Sequence, residues 1–162
     1  QWADRDALGP PGEVTMYAQR LVQLIETHSE ELARGLMEKL AHSEKADELQ
    51  KVPTAELQQR VYEVYRNLGD WLLTKTEADI EHRYTDIGAR RAAQGVALSH
   101  VLFALMAVKE HLWSYLRFAG LVDRHVELFQ ELELFEMVDR FFDRAAYYLA
   151  RGYEQAVKAR AA

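Results

Sequence analysis

The residues best placed to do chemistry are three charges set inside apolar helical stripes. Ile80, Tyr84 and Ile87 follow the alternating three- and four-residue spacing of one helix face, and the next position on that face is Arg91. Leu98, Leu102, Leu105, Leu112 and Leu116 form a second stripe, interrupted by Lys109. Leu128, Leu132, Phe135, Phe142, Ala146, Leu149 and Tyr153 form a third, interrupted by Asp139. A single buried charge costs several kcal/mol unless it is paired. Three stripes each broken by one charge therefore lead to the expectation that the three meet. Two cations against one carboxylate leave a positive charge over. Asp143, one turn past Asp139, is the nearest carboxylate to balance it, with Glu77 and Glu110 as others, and an anionic ligand would serve equally. Arg91, Lys109, Asp139 and Asp143 are thus the candidate cluster. It reads as a structural ion network, as long side chains snorkelling to water, or as a ligand-binding or switching site. Arg90 faces away from the stripe and is expected to be a surface charge.

Other chemistry is not supported by the spacing. None of the six histidines belongs to the Glu-x-x-His pattern of a di-iron bundle, and His82 with Asp86 is the nearest approach to a metal-binding helix face. No metal site is expected. His100 and His111 read as surface or interface residues, with haem ligation as the alternative. There is no glycine-rich phosphate loop, no nucleophile elbow and no paired-carboxylate cleft. Ser99 and Ser114 lack a base partner in the sequence, and enzymatic activity is not expected. Trp71, Trp113, Tyr62, Tyr65 and Tyr115 read as core or interface aromatics.

The composition agrees with a helical scaffold. Of 162 residues 49% are hydrophobic and 28% charged, with only 8 glycines and 3 prolines, enough chain for one domain with a substantial core. The net charge of −6 argues against a nucleic-acid binder. Cysteine is absent, which removes disulfide and thiol chemistry and is compatible with a cytoplasmic location. The apolar run from Val96 to Val108 is too short to span a bilayer, and no signal peptide is apparent.

Helical periodicity runs through almost the whole chain, and nothing alternates with period two. The expected fold is all-α: a single bundle of five to six helices ending in a long C-terminal one. Residues 1–12 read as a flexible tail or tag remnant, and 13–162 as one helical domain. Val14, Tyr17, Leu21, Leu24 and Ile25 share a face, and Leu32, Leu36 and Leu40 extend it, as one kinked helix or two, with Thr27-x-x-Glu30 as a capping box at the restart. The segment from His42 to Pro53 reads as a loop. Thr54 is expected to cap a helix through Leu57, Val61, Val64, Leu68 and Trp71, and Thr74-x-x-Glu77 to open the helix that Gly95 ends. A helix from about Leu98 to Ala119 follows, stopped by Gly120. Asp123 then caps a last helix to about Lys158, roughly 50 Å long at 1.5 Å per residue. That helix carries two apolar faces: Leu128, Leu132, Phe135, Phe142 and Leu149 on one, and Leu134, Phe141 and Tyr148 on the other. The second face, with Tyr147 beside it, is the expected homodimer interface.

The segment RYTDIGARRAAQGVALSHVLFALMAVKEHLW, followed by LFQELELFEMVDRFFDRAAYYLARGYE, resembles the helical N-terminal domain of RsbR-type stressosome co-antagonists, a domain type also found in some bacterial sensor histidine kinases and transcription regulators. The resemblance spans roughly Leu21 to Glu154. It is carried by Gly88-x-x-Arg91-x-x-Gln94-Gly95, by His111-Leu112-Trp113 and by the run from Asp139 to Ala145. Where the family often has a bulky residue and a proline after the glycine, this chain has Val96-Ala97, which should soften the turn. The resemblance implies a cytoplasmic sensory or regulatory domain, globin-like without haem, dimeric, and joined through its last helix to a C-terminal output domain or signalling partner. It brings no catalytic residue with it.

Overall fold

A computed structural model describes residues 15–118 and 125–162, with side chains placed from 18 to 117 and from 132 to 162. The expected tail at 1–12, Leu128 on the last helix, Gly120 and the cap at Asp123 lie outside the described side chains. Among the described residues there are six α-helices and no strand: α1 (Thr15–Thr27), α2 (Ser29–Ala41), α3 (Thr54–Arg66), α4 (Glu77–Ala93), α5 (Leu98–Phe118) and α6 (His125–Ala161). A 3-10 run, Glu44–Lys51, joins α2 to α3 where a loop was expected, and a π-turn, Asp70–Thr74, joins α3 to α4.

The breaks between helices follow local chemistry, though not always at the expected residue. The chain does restart after Thr27, but without a capping box: the Thr27 hydroxyl donates backward to the Gln23 carbonyl at 2.7 Å, and His28 Nδ1 donates to that of Leu24 at 2.9 Å. At α4 the capping box lies two residues later than predicted. Thr74 closes the π-turn, so Thr76 becomes the N-cap. The Thr76 N–H donates to Asp79 Oδ2 at 2.8 Å, and the Asp79 N–H donates to Thr76 Oγ1 at 3.3 Å. Gly95 ends α4 as expected, at φ +73°, a backbone conformation that costs glycine little.

The core holds Ile25, Leu36, Tyr65, Leu68, Val96, Leu112, Leu134 and Val138 with almost no exposed area. Tyr65 crosses it from α3 to α5, donating to the Val108 carbonyl at 2.8 Å, and burial pushes its phenol pKa well above the ordinary value. The tightest pair is α4 with α6, which run side by side in the same direction: Glu77 meets Tyr148 near one end and Ala92 meets Arg160 at the other. Their backbones touch. A side chain at Gly88 would strike the Leu149 carbonyl and come within 2.9 Å of the Tyr153 nitrogen, and one at Gly152 would strike Thr85. Gly88 and Gly152 are thus the two points at which a missing side chain lets these helices come close.

The two faces of α6 divide differently from the expectation: the expected core face is buried at Phe142 and Leu149 but half exposed at Leu132 and Phe135, and Leu134, Phe141 and Tyr148 are buried inside the chain. The buried seam runs Leu134, Val138, Phe141, Ala145, Tyr148, Gly152. A count of bulky residues overlooks it, because Ala145 and Gly152 contribute little side chain. Small residues are nevertheless what lets α4 come close. Leu134, Phe141 and Tyr148 are therefore core residues of one chain, not a free dimer face.

Candidate functional site

The three seam charges do not meet; they divide into two pairs. Arg91 is buried, with 3% of its side chain exposed, and its partner is Glu56 in the first turn of α3. Arg91 Nη1 donates to Glu56 Oε1 and to Gln94 Oε1, each at 2.8 Å. Arg90, whose side chain is largely exposed, grips the same carboxylate through Nε and through Nη2, the latter at 2.9 Å, and Gln94 Nε2 adds a contact at 3.3 Å. Arg90 is thus half of a clamp and not a plain surface charge. Hydrogen bonds from Arg90 first, then from Arg91, hold the Glu56 carboxyl down to about 2 against the opposing effect of burial. Both oxygens of the Glu56 carboxylate are thus taken by protein donors.

Lys109 donates to Asp139 Oδ1 at 2.9 Å, across α5 and α6, with 27% and 39% of the side chains exposed. Asp143 is exposed and joins no ion pair among the described residues. Of the other carboxylates considered, Glu77 accepts from the Tyr148 hydroxyl at 2.9 Å and lies 3.5 Å from Arg144, while Glu110 is exposed. A joint pocket at Arg91, Lys109, Asp139 and Asp143 does not form. The stripes of α4 and α5 were read in phase, but phase does not say which helices are neighbours, and Glu56 had no seam to betray it.

The sequence also gave no sign of how the α4–α5 turn is held. Lys51 donates to the Gly95 carbonyl at 2.9 Å, Tyr153 to that of Val96 at 2.5 Å, and Arg160 to that of Ala92 at 3.1 Å. The Ala92 carbonyl, in the last turn of α4, also accepts from the Gly95 N–H at 3.0 Å, while the Gly95 and Val96 carbonyls lie just past the helix end. Side chains from two elements, Lys51 of the 3-10 run and Tyr153 and Arg160 from the last three turns of α6, therefore stand in for the missing proline as the constraint on this turn.

His100 and His111, the two considered as haem ligands, are engaged by protein groups. Lys39 Nζ donates to His111 Nδ1 at 2.8 Å, and burial, then the Lys39 charge, lowers the His111 pKa. His100 lies 3.3 Å from Asp47 and 3.7 Å from Glu48. Among the described residues no group of three or more His, Asp or Glu side chains is arranged to hold a metal ion. No described helix is long and apolar enough to cross a membrane.

Several large apolar side chains are left exposed on α5 and α6, which lie antiparallel. Trp113 stacks on Phe135 at 5.3 Å between ring centres, and the Lys109–Asp139 pair sits one turn away. Leu132, Phe135 and Tyr147 on α6 and Met106 on α5 leave roughly half or more of their area exposed.

The polar clusters of this all-helical domain are ties between helices, and α6 is its longest element. Residues 30–162 match the family described as the RsbT co-antagonist protein rsbRD N-terminal domain, and the chain belongs to that family of signalling domains. No curated protein and no solved structure matches the chain.

Proposed function

We propose that this domain is a non-enzymatic, cytoplasmic signal-input module that pairs with a second copy of itself through the α5–α6 face and relays a conformational change along α6 to a C-terminal output domain. The observation that carries this reading is the exposed apolar face itself. Leu132, Phe135, Met106 and Tyr147 are too many large apolar groups on adjoining helices to be left in water without a partner. A second pair of α5 and α6 laid against the first would make a four-helix bundle, with each Lys109–Asp139 pair bordering the seam.

The ties at the α4–α5 turn support the relay. The end of α6 is fastened to the same turn as the Glu56–Arg91 clamp, so a shift of α3 against α4 reaches the output helix through Tyr153 and Arg160. A haem-sensing alternative gains nothing from His100 and His111, whose rings are held by Asp47, Glu48 and Lys39.

Sedimentation velocity tests the pairing. A dimer at micromolar concentration, converted to a folded monomer by Phe135→Asp, is the expected result. A wild-type monomer at high micromolar concentration would refute it.

A further inference from the structure

Between α3 and α4, beside the π-turn, lies an open crevice of about 460 Å³ that none of the ties above uses. Its volume is within the range of small-ligand sites, roughly 300–1,000 Å³. The inner wall is aromatic: Trp71 meets Tyr84 edge-on at 6.0 Å, and Phe141 of α6 packs on the same indole at 5.6 Å. Cations crowd this wall. Lys75 Nζ is 5.8 Å and Arg83 Cζ 5.9 Å from the centre of the Trp71 ring.

The crevice holds more hydrogen-bond donors than acceptors to receive them. Arg60 and Arg83 share a single oxygen of Glu63, at 3.5 and 3.4 Å, and the other Glu63 oxygen accepts from Gln59 at 3.2 Å. Each guanidinium has five N–H groups, so most of theirs are unused by the described residues. Lys75 makes no ion pair among the described residues. Of the two other carboxylates lining the crevice, Asp79 is committed to the α4 cap through Thr76, and Asp70 is exposed.

From this geometry we infer that the crevice binds a small organic anion, its carboxylate or phosphate received by Arg83, Arg60 and Lys75 and its apolar body lying against Trp71 and Tyr84. The ligand would displace Glu63 as the shared acceptor. Phe141 places the wall of the site in direct contact with the buried seam of α6, so occupancy bears on the helix assigned to the output. The proposal rests on the signal-input reading only in giving the anion a purpose, and its test measures binding alone.

Trp71 is one of three tryptophans, so a Trp2→Phe/Trp113→Phe protein reports on the site by fluorescence. Benzoate, phenyl phosphate, inorganic phosphate and the neutral benzamide are titrated up to about 10 mM, a weak-binding range. Benzoate or phenyl phosphate should change the emission saturably, and benzamide should not. Arg83→Met and Lys75→Met should each weaken binding about ten-fold, the effect of one charge-assisted hydrogen bond. Lys75→Met is the safer variant for folding, since that side chain is exposed and unpaired. Glu63→Gln, which removes the competing negative charge, should tighten binding. No response to any probe, equal binding of benzamide, or undiminished binding in Lys75→Met would overturn the site. Inorganic phosphate binding as tightly as phenyl phosphate would overturn the organic class. Loss of binding with the dimer intact would separate failure of this site from failure of the signalling assignment.

Discussion

Replacing Arg91 by Met tests the clamp at its centre. The substitution keeps much of the side-chain volume but removes a buried guanidinium that donates 2.8 Å hydrogen bonds to Glu56 and Gln94. Breaking a buried pair typically costs about 3–5 kcal/mol, chiefly because the other charge is stranded. Here Glu56 is not wholly stranded, since Arg90 and Gln94 still reach it, so the lower end, about 3 kcal/mol at pH 7, is expected. Arg90→Met removes a mostly exposed partner and should cost about 1 kcal/mol or less. The pH dependence is the sharper reading. A carboxyl with a folded pKa of about 2, against an ordinary 4.5, adds stability that is fully present above pH 4.5 and is lost as the pH falls toward 2. By pH 3 the wild type should have lost about 2 kcal/mol of this contribution, with some discount for solvent screening of the Arg90 side. Arg91→Met has less to lose, so its deficit should narrow by about 1 kcal/mol between pH 7 and pH 3. Urea unfolding at both pH values, at one fixed protein concentration because pairing would couple stability to concentration, measures this. A deficit that is constant with pH, or below about 1 kcal/mol at pH 7, would refute the clamp as a stabilising pair.

Two other perturbations follow from the packing. Gly88→Ala drives a methyl into the backbone of α6, which cannot yield as a flexible side chain can, and should destabilise by about 3 kcal/mol or prevent folding; a melting temperature within a few degrees of wild type would show that α4 and α6 are farther apart than described. Lys109→Met removes a partly exposed ion pair beside the apolar face and should cost about 1 kcal/mol or less in chemical denaturation, whereas a loss of about 3 kcal/mol would mean the pair is buried in the functional assembly.

How much of this was legible in the residues depends on the range of the interaction. The helices themselves were, because each is written in its own three-and-four periodicity and the clearest stop, Gly95, acts within one turn. The capping box at Thr76 was misplaced because Thr74 and Thr76 offer similar local chemistry, and the choice between them is made by the π-turn around Trp71. The burial of Arg91 was legible because it continues the Ile80 stripe. Its partner was not, because Glu56 lies on the outer part of an amphipathic helix and only the packing of α3 against α4 brings it in. The second apolar face of α6 was assigned to a partner copy because one face was taken to satisfy the core, whereas both Phe142 and Leu149 on one side and Leu134, Phe141 and Tyr148 on the other are buried, with Ala145 and Gly152 letting α4 come close. Tyr153 and Arg160 resemble any polar residues near a helix end, and their bonds to the α4–α5 turn depend on the parallel course of α4 and α6.

The pairing of two copies through α5 and α6 is tested most directly by disulfide trapping, for which a chain without cysteine is well suited. Single substitutions Leu132→Cys, Phe135→Cys and Tyr147→Cys on α6 are compared with Gln58→Cys, an exposed position on α3. Under mild oxidation at low micromolar concentration, at least one α6 position should form a covalent dimer rapidly and nearly completely, while Gln58→Cys stays monomeric. Equal, slow cross-linking at all four positions, or faster cross-linking from α3, would contradict an α5–α6 dimer.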